Sequence, residues 1–191
     1  MAPHAALAEI GVPYELVRIS RDEAQADPEY RALNPLGVVP TLVDGDVVVS
    51  ESAAIMLYLG GRFPEARLAP AEPAEYYRWL VFMTNAVQTA FLRLFYPERY
   101  GTDGVAEAAA AEVQGHFDVL EGGLEGREWL VGDERSGADL FLFMMTRWGR
   151  RTDPESWSRP NLRAHFLRTL ALPGVRRMIE EQDLELPAWA Q

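Results

Sequence analysis

Hydrophobic positions recur with two different periods along this chain, and the change of period divides it. Residues 2–10, APHAALAEI, read as a helix with Pro3 in its first turn and Gly11 as its C-terminal stop. Residues 14–19 predict a strand, and residues 22–33 a polar helix that ends at Asn34-Pro35. The stretch 34–59, NPLGVVPTLVDGDVVVSESAAIMLYL, organises what surrounds it. Asn34, Pro35 and Gly37 make a turn, residues 38–43 a short apolar strand, Asp44-Gly45 a hairpin signal and residues 46–49 the return strand. The period then switches to helical, with Ser50-Glu51-Ser52 opening a helix that carries Ile55, Met56 and Leu59 and stops at Gly60-Gly61.

Beyond Phe63 the reading is helical throughout. Pro64, Pro70 and Pro73 mark a linker over residues 63–72 between a first domain at 1–62 and a second at 73–191. Residues 74–96 predict one long helix, with Trp79, Met83, Ala86, Ala90 and Leu94 on one line and Leu80, Val87, Phe91 and Phe95 beside it. Pro97 ends it, and residues 103–120 predict an antiparallel neighbour. Ser136 with Asp139 reads as a capping box ahead of an apolar run ending at Trp148, a structural role worth about 1 kcal/mol. Residues 160–171 and 173–182 add two shorter helices, and 187–189 a tail that packs across the bundle.

The chemistry gathers in the 34–59 stretch. Pro40 lacks an N–H and sits at a strand entry, where an X–Pro bond is the one peptide bond for which the cis form is cheap. A cis Val39–Pro40 bond would aim the Val39 N–H and C=O outward. The free amides at the helix start beside Ser52 form an anion site, and Glu51 can receive an ammonium. An extended ligand with a carboxylate and an amine at one end and a peptide-like middle fits these features.

Composition narrows the partners. The 191 residues are 48% hydrophobic and 10% aromatic, enough for one large or two small packed domains. Eighteen basic against twenty-nine acidic residues give a net charge of −11, which argues against nucleic acid and anionic membranes. There is no cysteine, so no disulfide, thiolate metal site or cysteine catalysis comes from this chain, and a cytoplasmic home is expected. No secretory segment opens the sequence, and the longest apolar run, residues 140–145, is too short to span a bilayer. His4, His116 and His165 lie far apart, without metal-ligand spacing.

The combination N-P-x-G-x-V-P-x-L, a D-G hairpin and E-S-x-A-I-x-x-Y-L at 34–59 resembles the glutathione-binding half of the cytosolic glutathione transferases, and W-x-x-G followed by S-x-x-D at 129–139 continues the likeness. The resemblance implies an α/β thioredoxin-like N-terminal domain and an all-α helical-bundle C-terminal domain. It implies that Val39 pairs by backbone with the cysteinyl part of glutathione, that Pro40 is cis, and that Glu51 and Ser52 hold the γ-glutamyl end. In that family the helix at 74–96 lines an interdomain cleft, which makes Tyr96 and Arg99 further candidates for contact with the electrophile. A homodimer is implied as well.

One departure stands out. The predicted order α-β-α-β-β-α lacks the opening strand of a thioredoxin-like domain and the loop after it, where the family carries its catalytic Tyr, Ser or Cys. The catalytic residue is therefore unassigned, His4 is read as a packing or surface residue, and the chain is expected to start upstream of Met1. Two functions are carried forward: a glutathione S-transferase acting on small electrophiles with glutathione as co-substrate and no metal, and a non-catalytic ligand-binding or scaffold protein of the same fold.

Overall fold

The computed structural model describes residues 1–101 and 103–190, so Thr102 and Gln191 of the expected helical part lie outside the described residues. Helix α1 (Ala2–Ile10) begins with Pro3 in its first turn and ends at Gly11, whose φ of 80° is the left-handed conformation that suits glycine. Its small residues Ala2, Ala5 and Ala6 are buried, which lets neighbouring helices approach closely. Helices α2 (Arg21–Ala26) and α3 (Pro28–Leu33) follow. The single helix expected at 22–33 is split because Asp27 precedes a proline, adopts extended backbone and caps α3 by accepting from the Glu29 amide at 2.8 Å.

Strands β1 (Thr41–Asp44) and β2 (Val47–Ser50) pair antiparallel about Asp44-Gly45, with Leu42 opposite Val49 and Val43 opposite Val48. The ladder begins at Thr41 and not at residue 38, since Pro40 has no amide to donate. Leu42 and Val49 face the core while their neighbours Val43 and Val48 are exposed, the alternation that an antiparallel hairpin with one buried face requires, and Val47 beside the turn is exposed as well. Helix α4 (Ser52–Arg62) packs behind, and Tyr58 donates to Asp44 at 2.7 Å to tie it to the hairpin.

The strand expected at 14–19 does not form. These residues run extended but enter no sheet, because a strand exists only where a partner ladder meets its N–H and C=O groups, and β1 and β2 pair only with each other. No backbone hydrogen bond among the described residues involves residues 12–19. The first domain thus consists of four helices, one hairpin and an unpaired extended segment, a reduced form of the thioredoxin-like domain.

The rest is helical. Helix α5 (Ala74–Phe82), a π-helical stretch (Met83–Gln88) and α6 (Thr89–Phe95) replace the one regular helix expected at 74–96. Thr84 donates to the Leu80 carbonyl, and Thr89 to the carbonyls of Asn85 and Ala86. These hydroxyls take up carbonyls of the regular ladder, which widens the turn locally. Helix α7 (Val105–Gly123) runs back alongside, and α8 (Gly137–Trp148) is the buried axis of the bundle, followed by α9 (Pro160–Leu170) and α10 (Pro173–Glu181). Trp189 in the tail lies 5.3 Å from Trp157 and 5.7 Å from Phe166, ring centre to ring centre.

One apolar core runs through both parts. Ile55, Met56 and Leu59 of α4 join Ala2, Ala5 and Ala6 of α1, Phe141 of α8 and Val175 and Met178 of α10 in a single cluster. Helix α1 is the bridge. Gly174 is what permits its close packing on α10, since a Cβ there would fall 2.4 Å from the Glu9 nitrogen. The Glu9 carboxylate accepts the Gly174 amide at 2.5 Å and pairs with Arg135 at 3.1 Å.

Candidate functional site

The turn at 34–41 is built from inside. Asn34, buried, donates to the Val38 carbonyl at 2.7 Å, and Tyr30 donates to the same carbonyl at 2.8 Å. Saturating that carbonyl holds the chain rigid one residue before Val39, where the peptide bond to Pro40 is cis. Val39 is half exposed, and its own N–H and C=O meet no backbone partner among the described residues. Such open peptide groups are able to pair with an extended, peptide-like edge.

The start of α4 is open in the same way. Glu51 occupies the cap position with φ 71° and ψ 123°, a region a non-glycine residue seldom enters and which costs of order 1–3 kcal/mol. No side chain caps the helix, so the first-turn amides from Ser52 onward point out without a side-chain partner, and the helix dipole adds partial positive charge. Ser52 is buried at the helix start, and Glu51 is exposed next to it.

Val39, Pro40 and Ser52 line one cleft of about 1060 Å³. Residues 12–19 form one wall, β1 the other, and Ile55 and Leu59 of α4 with Met144 and Trp148 of α8 lie along it. Gln88, at the end of the π-helical stretch, also reaches the cleft, and its Oε1 is buried without a hydrogen-bond partner. The sequence reading names neither Trp148 nor Met144 as a cleft residue, because both belong to a continuous apolar run whose members cannot be told apart by pattern. Tyr96 and Arg99 are not among the cleft-lining residues; they sit together at the outer corner after α6, with the Arg99 guanidinium 4.5 Å from the Tyr96 ring centre.

At the cleft's far end the structure brings together three groups the sequence keeps apart. His4 of α1, Tyr14 of the extended segment and Glu181 of α10 form one cluster, with His4 Nε2 2.6 Å from Glu181 Oε2 and 3.0 Å from the Tyr14 hydroxyl. Gln182 donates to His4 Nδ1 at 2.8 Å, which leaves the imidazole proton on Nε2 to be donated to Glu181. Tyr14 also donates to Glu181, at 2.5 Å. The Tyr14 hydroxyl bond and the Arg177 guanidinium hold the Glu181 carboxyl down at about 2, while burial and that carboxylate push the Tyr14 phenol up to about 12. Both ring nitrogens of His4 are engaged, and they tie α1 to α10.

The fold and this cleft define a class: a two-domain protein with a cis-proline loop and an open helix start in the first domain, facing a helical second domain. The profile "Glutathione S-transferase, N-terminal domain" matches residues 2–62, and "Glutathione S-transferase, C-terminal domain" matches residues 82–173. The chain is 28% identical to glutathione S-transferase GST-4.5 of Xanthomonas campestris pv. campestris, over 96% of this chain and 94% of that one. Among solved structures it is similar to a glutathione S-transferase from Xylella fastidiosa, with a TM-score of 0.87 and 29% identity over 96% of this chain and 94% of that one. A sphingomonad glutathione S-transferase, solved in complex with glutathione, gives a TM-score of 0.86 at 30% identity over 96% of this chain and 94% of that one. The chain belongs to the glutathione S-transferase family.

Proposed function

We propose that this chain binds glutathione on Val39, Pro40, Glu51 and Ser52 and transfers it to a small electrophile seated in the cleft toward Met144 and Trp148. The observation that carries this reading is the pairing of two unsatisfied features in one cleft: the unpartnered Val39 peptide groups and the uncapped start of α4. The cysteinyl N–H and C=O of glutathione pair with Val39 as a strand edge would. The γ-glutamyl carboxylate accepts from the α4 amides and the Ser52 hydroxyl, and its ammonium meets Glu51.

Transfer requires the thiol to lose its proton, after which the sulfur forms a bond to the electrophilic carbon as the leaving group departs. Pro3 and His4 at the start of α1 line the same cleft, and α1 has no side-chain cap. The free amides and dipole of that helix start supply the field that favours a thiolate. A homodimer is part of the same proposal: exposed Val47, Val48 and Leu57 in the first domain and Tyr77, Val81 and Val119 in the second provide apolar surface for it. The chain carries no cysteine, and no helix among the described residues is long and apolar enough to cross a membrane, both compatible with a cytoplasmic enzyme.

The test is a calorimetric titration of glutathione into the whole chain, followed by an assay with an activated aryl chloride. Ser52→Ala and Glu51→Ala each remove a charge-assisted hydrogen bond and are expected to weaken binding by about tenfold or more. Binding unchanged in both variants would sink the assigned site. Binding without transfer would leave the non-catalytic ligand-binding reading in place of the transferase.

A further inference from the structure

The cleft has two open backbone edges that the glutathione reading does not use. One is the extended run 12–19, mostly exposed, whose N–H and C=O groups meet no hydrogen-bond partner among the described residues. The other is β1. This strand pairs with β2 on one side only, so every second residue turns its N–H and C=O away from β2, and no described group reaches them. Both rows line the same cleft, yet they do not bond to each other.

The floor between the rows is apolar. Leu7 of α1 and Ile55, Leu59 and Phe63 from α4 and its end line it, and Ile55 and Leu59 are otherwise sealed in the core. Leu16, Val17 and Val43 along the rim are exposed. A small apolar molecule would cover the floor and leave both rows of peptide groups unmet. A strand meets both, because its N–H and C=O groups alternate to either side while every second side chain faces down. The shorter wall spans residues 39–44, so the matching strand is about six residues, or 20 Å, long. The charged side chains lining the groove are Glu15, Arg18 and Asp44, two carboxylates to one guanidinium, in a chain of net charge −11. That balance favours an occupant with basic ends.

We propose that the groove between residues 12–19 and β1 is a docking site for one extended segment of a partner protein. The segment carries apolar side chains at alternate positions and basic residues at its ends, and it pairs by backbone with both walls to make a four-stranded sheet. The groove shares the cleft with the glutathione reading but none of the backbone groups assigned to glutathione, which lie at Val39 and the start of α4.

The probe is a capped peptide of alternating valine and threonine with a lysine at each end, titrated into the whole chain by calorimetry. Its comparison has proline in place of the two central threonines, which keeps the valines and the charge but deletes N–H donors. Saturable binding of the first peptide is expected, with the proline peptide weaker by about tenfold or more. In the complex, amide exchange is expected to slow across residues 12–19 and at the open edge of β1. Leu16→Pro and Val17→Pro each delete one amide from a stretch without hydrogen bonds, so both variants are expected to fold, with an unchanged circular dichroism spectrum and melting temperature as the check. Adjacent amides of an extended chain point to opposite sides, so one variant is expected to weaken binding by about tenfold and the other to leave it unchanged. Absence of binding to the folded chain, equal binding of the proline peptide, exchange that does not slow, or equal effects of the two variants would each overturn the proposal. Displacement of the peptide by glutathione would place it on Val39 and overturn it as well. Ser52→Ala and Glu51→Ala are expected to leave peptide affinity unchanged, which keeps failure of the groove distinguishable from failure of the glutathione reading.

Discussion

Asp139 shows how one side chain can do more than its motif announces. As a capping residue it accepts the Ser136 amide at 2.7 Å and the Ser136 hydroxyl at 2.9 Å. It also accepts the Leu130 amide at 2.8 Å and His165 Nε2 at 2.9 Å, all inside the buried core. Asp139→Ala strands several buried donors at once and is expected to cost about 3 kcal/mol or more, against about 1 kcal/mol for Ser136→Ala, by chemical denaturation. Equal costs would show that the wider network adds nothing to the cap. The cap was legible because Ser and Asp at that spacing act within one helical turn; the His165 contact was not, since it joins α8 to α9.

His4 sets a pH dependence at the same scale. Burial lowers its pKa below 6.5 against the opposing pull of Glu181, and burial shifts His116 in the same direction. A lowered folded pKa means the unfolded chain takes up the proton first as pH falls, so stability is full above about 6.5 and declines below it. The melting temperature is expected to fall between pH 7.5 and 5.5, and to fall less in a His4→Gln, His116→Gln double variant. Glu181 acts lower: held at about 2 when folded against an ordinary 4.5, it loses its contribution as pH drops from 4.5 toward 2.

At the scale of elements, the extended residues 12–19 and the α1–α10 contact behave oppositely. Without backbone hydrogen bonds, the amides of residues 12–19 are expected to exchange with solvent at close to unfolded rates, while those of α1 and α8 stay protected. Slow exchange at 14–19 would mean that a ladder partner is present in solution. The α1–α10 contact has no slack. Gly174→Ala would drive a methyl to within 3 Å of the Glu9 nitrogen and the Ala8 carbonyl carbon, both backbone atoms. A cost of about 1–3 kcal/mol is expected from denaturant titration, because backbone on both sides cannot step aside as a flexible side chain would.

At the scale of the molecule, the core is continuous from α4 through α1 to α8 and α10. Two domains that share one core have little reason to unfold separately, so a single calorimetric transition is expected, with its two measures of enthalpy in agreement. Two resolved transitions would contradict the bridging role of α1. Glutathione bound to the first domain is expected to raise the whole transition, by an amount set by the ratio of its concentration to its dissociation constant.

What the chain determines locally can be read from it: Gly11 ends α1, Asp44-Gly45 turns the hairpin, and Ser136 and Asp139 start α8, whereas the cis bond at Pro40 is implied only by the family resemblance. The first three depend on backbone limits and hydrogen bonds within a few residues, and these act wherever the segment ends up. Only the tertiary structure decided that residues 14–19 stay unpaired, that Val39 and Ser52 share a cleft with Trp148, and that His4, Tyr14 and Glu181 meet. Those outcomes depend on which distant groups arrive alongside, and a strand, a cleft wall or a charge cluster has no local signal beyond the residues that happen to compose it.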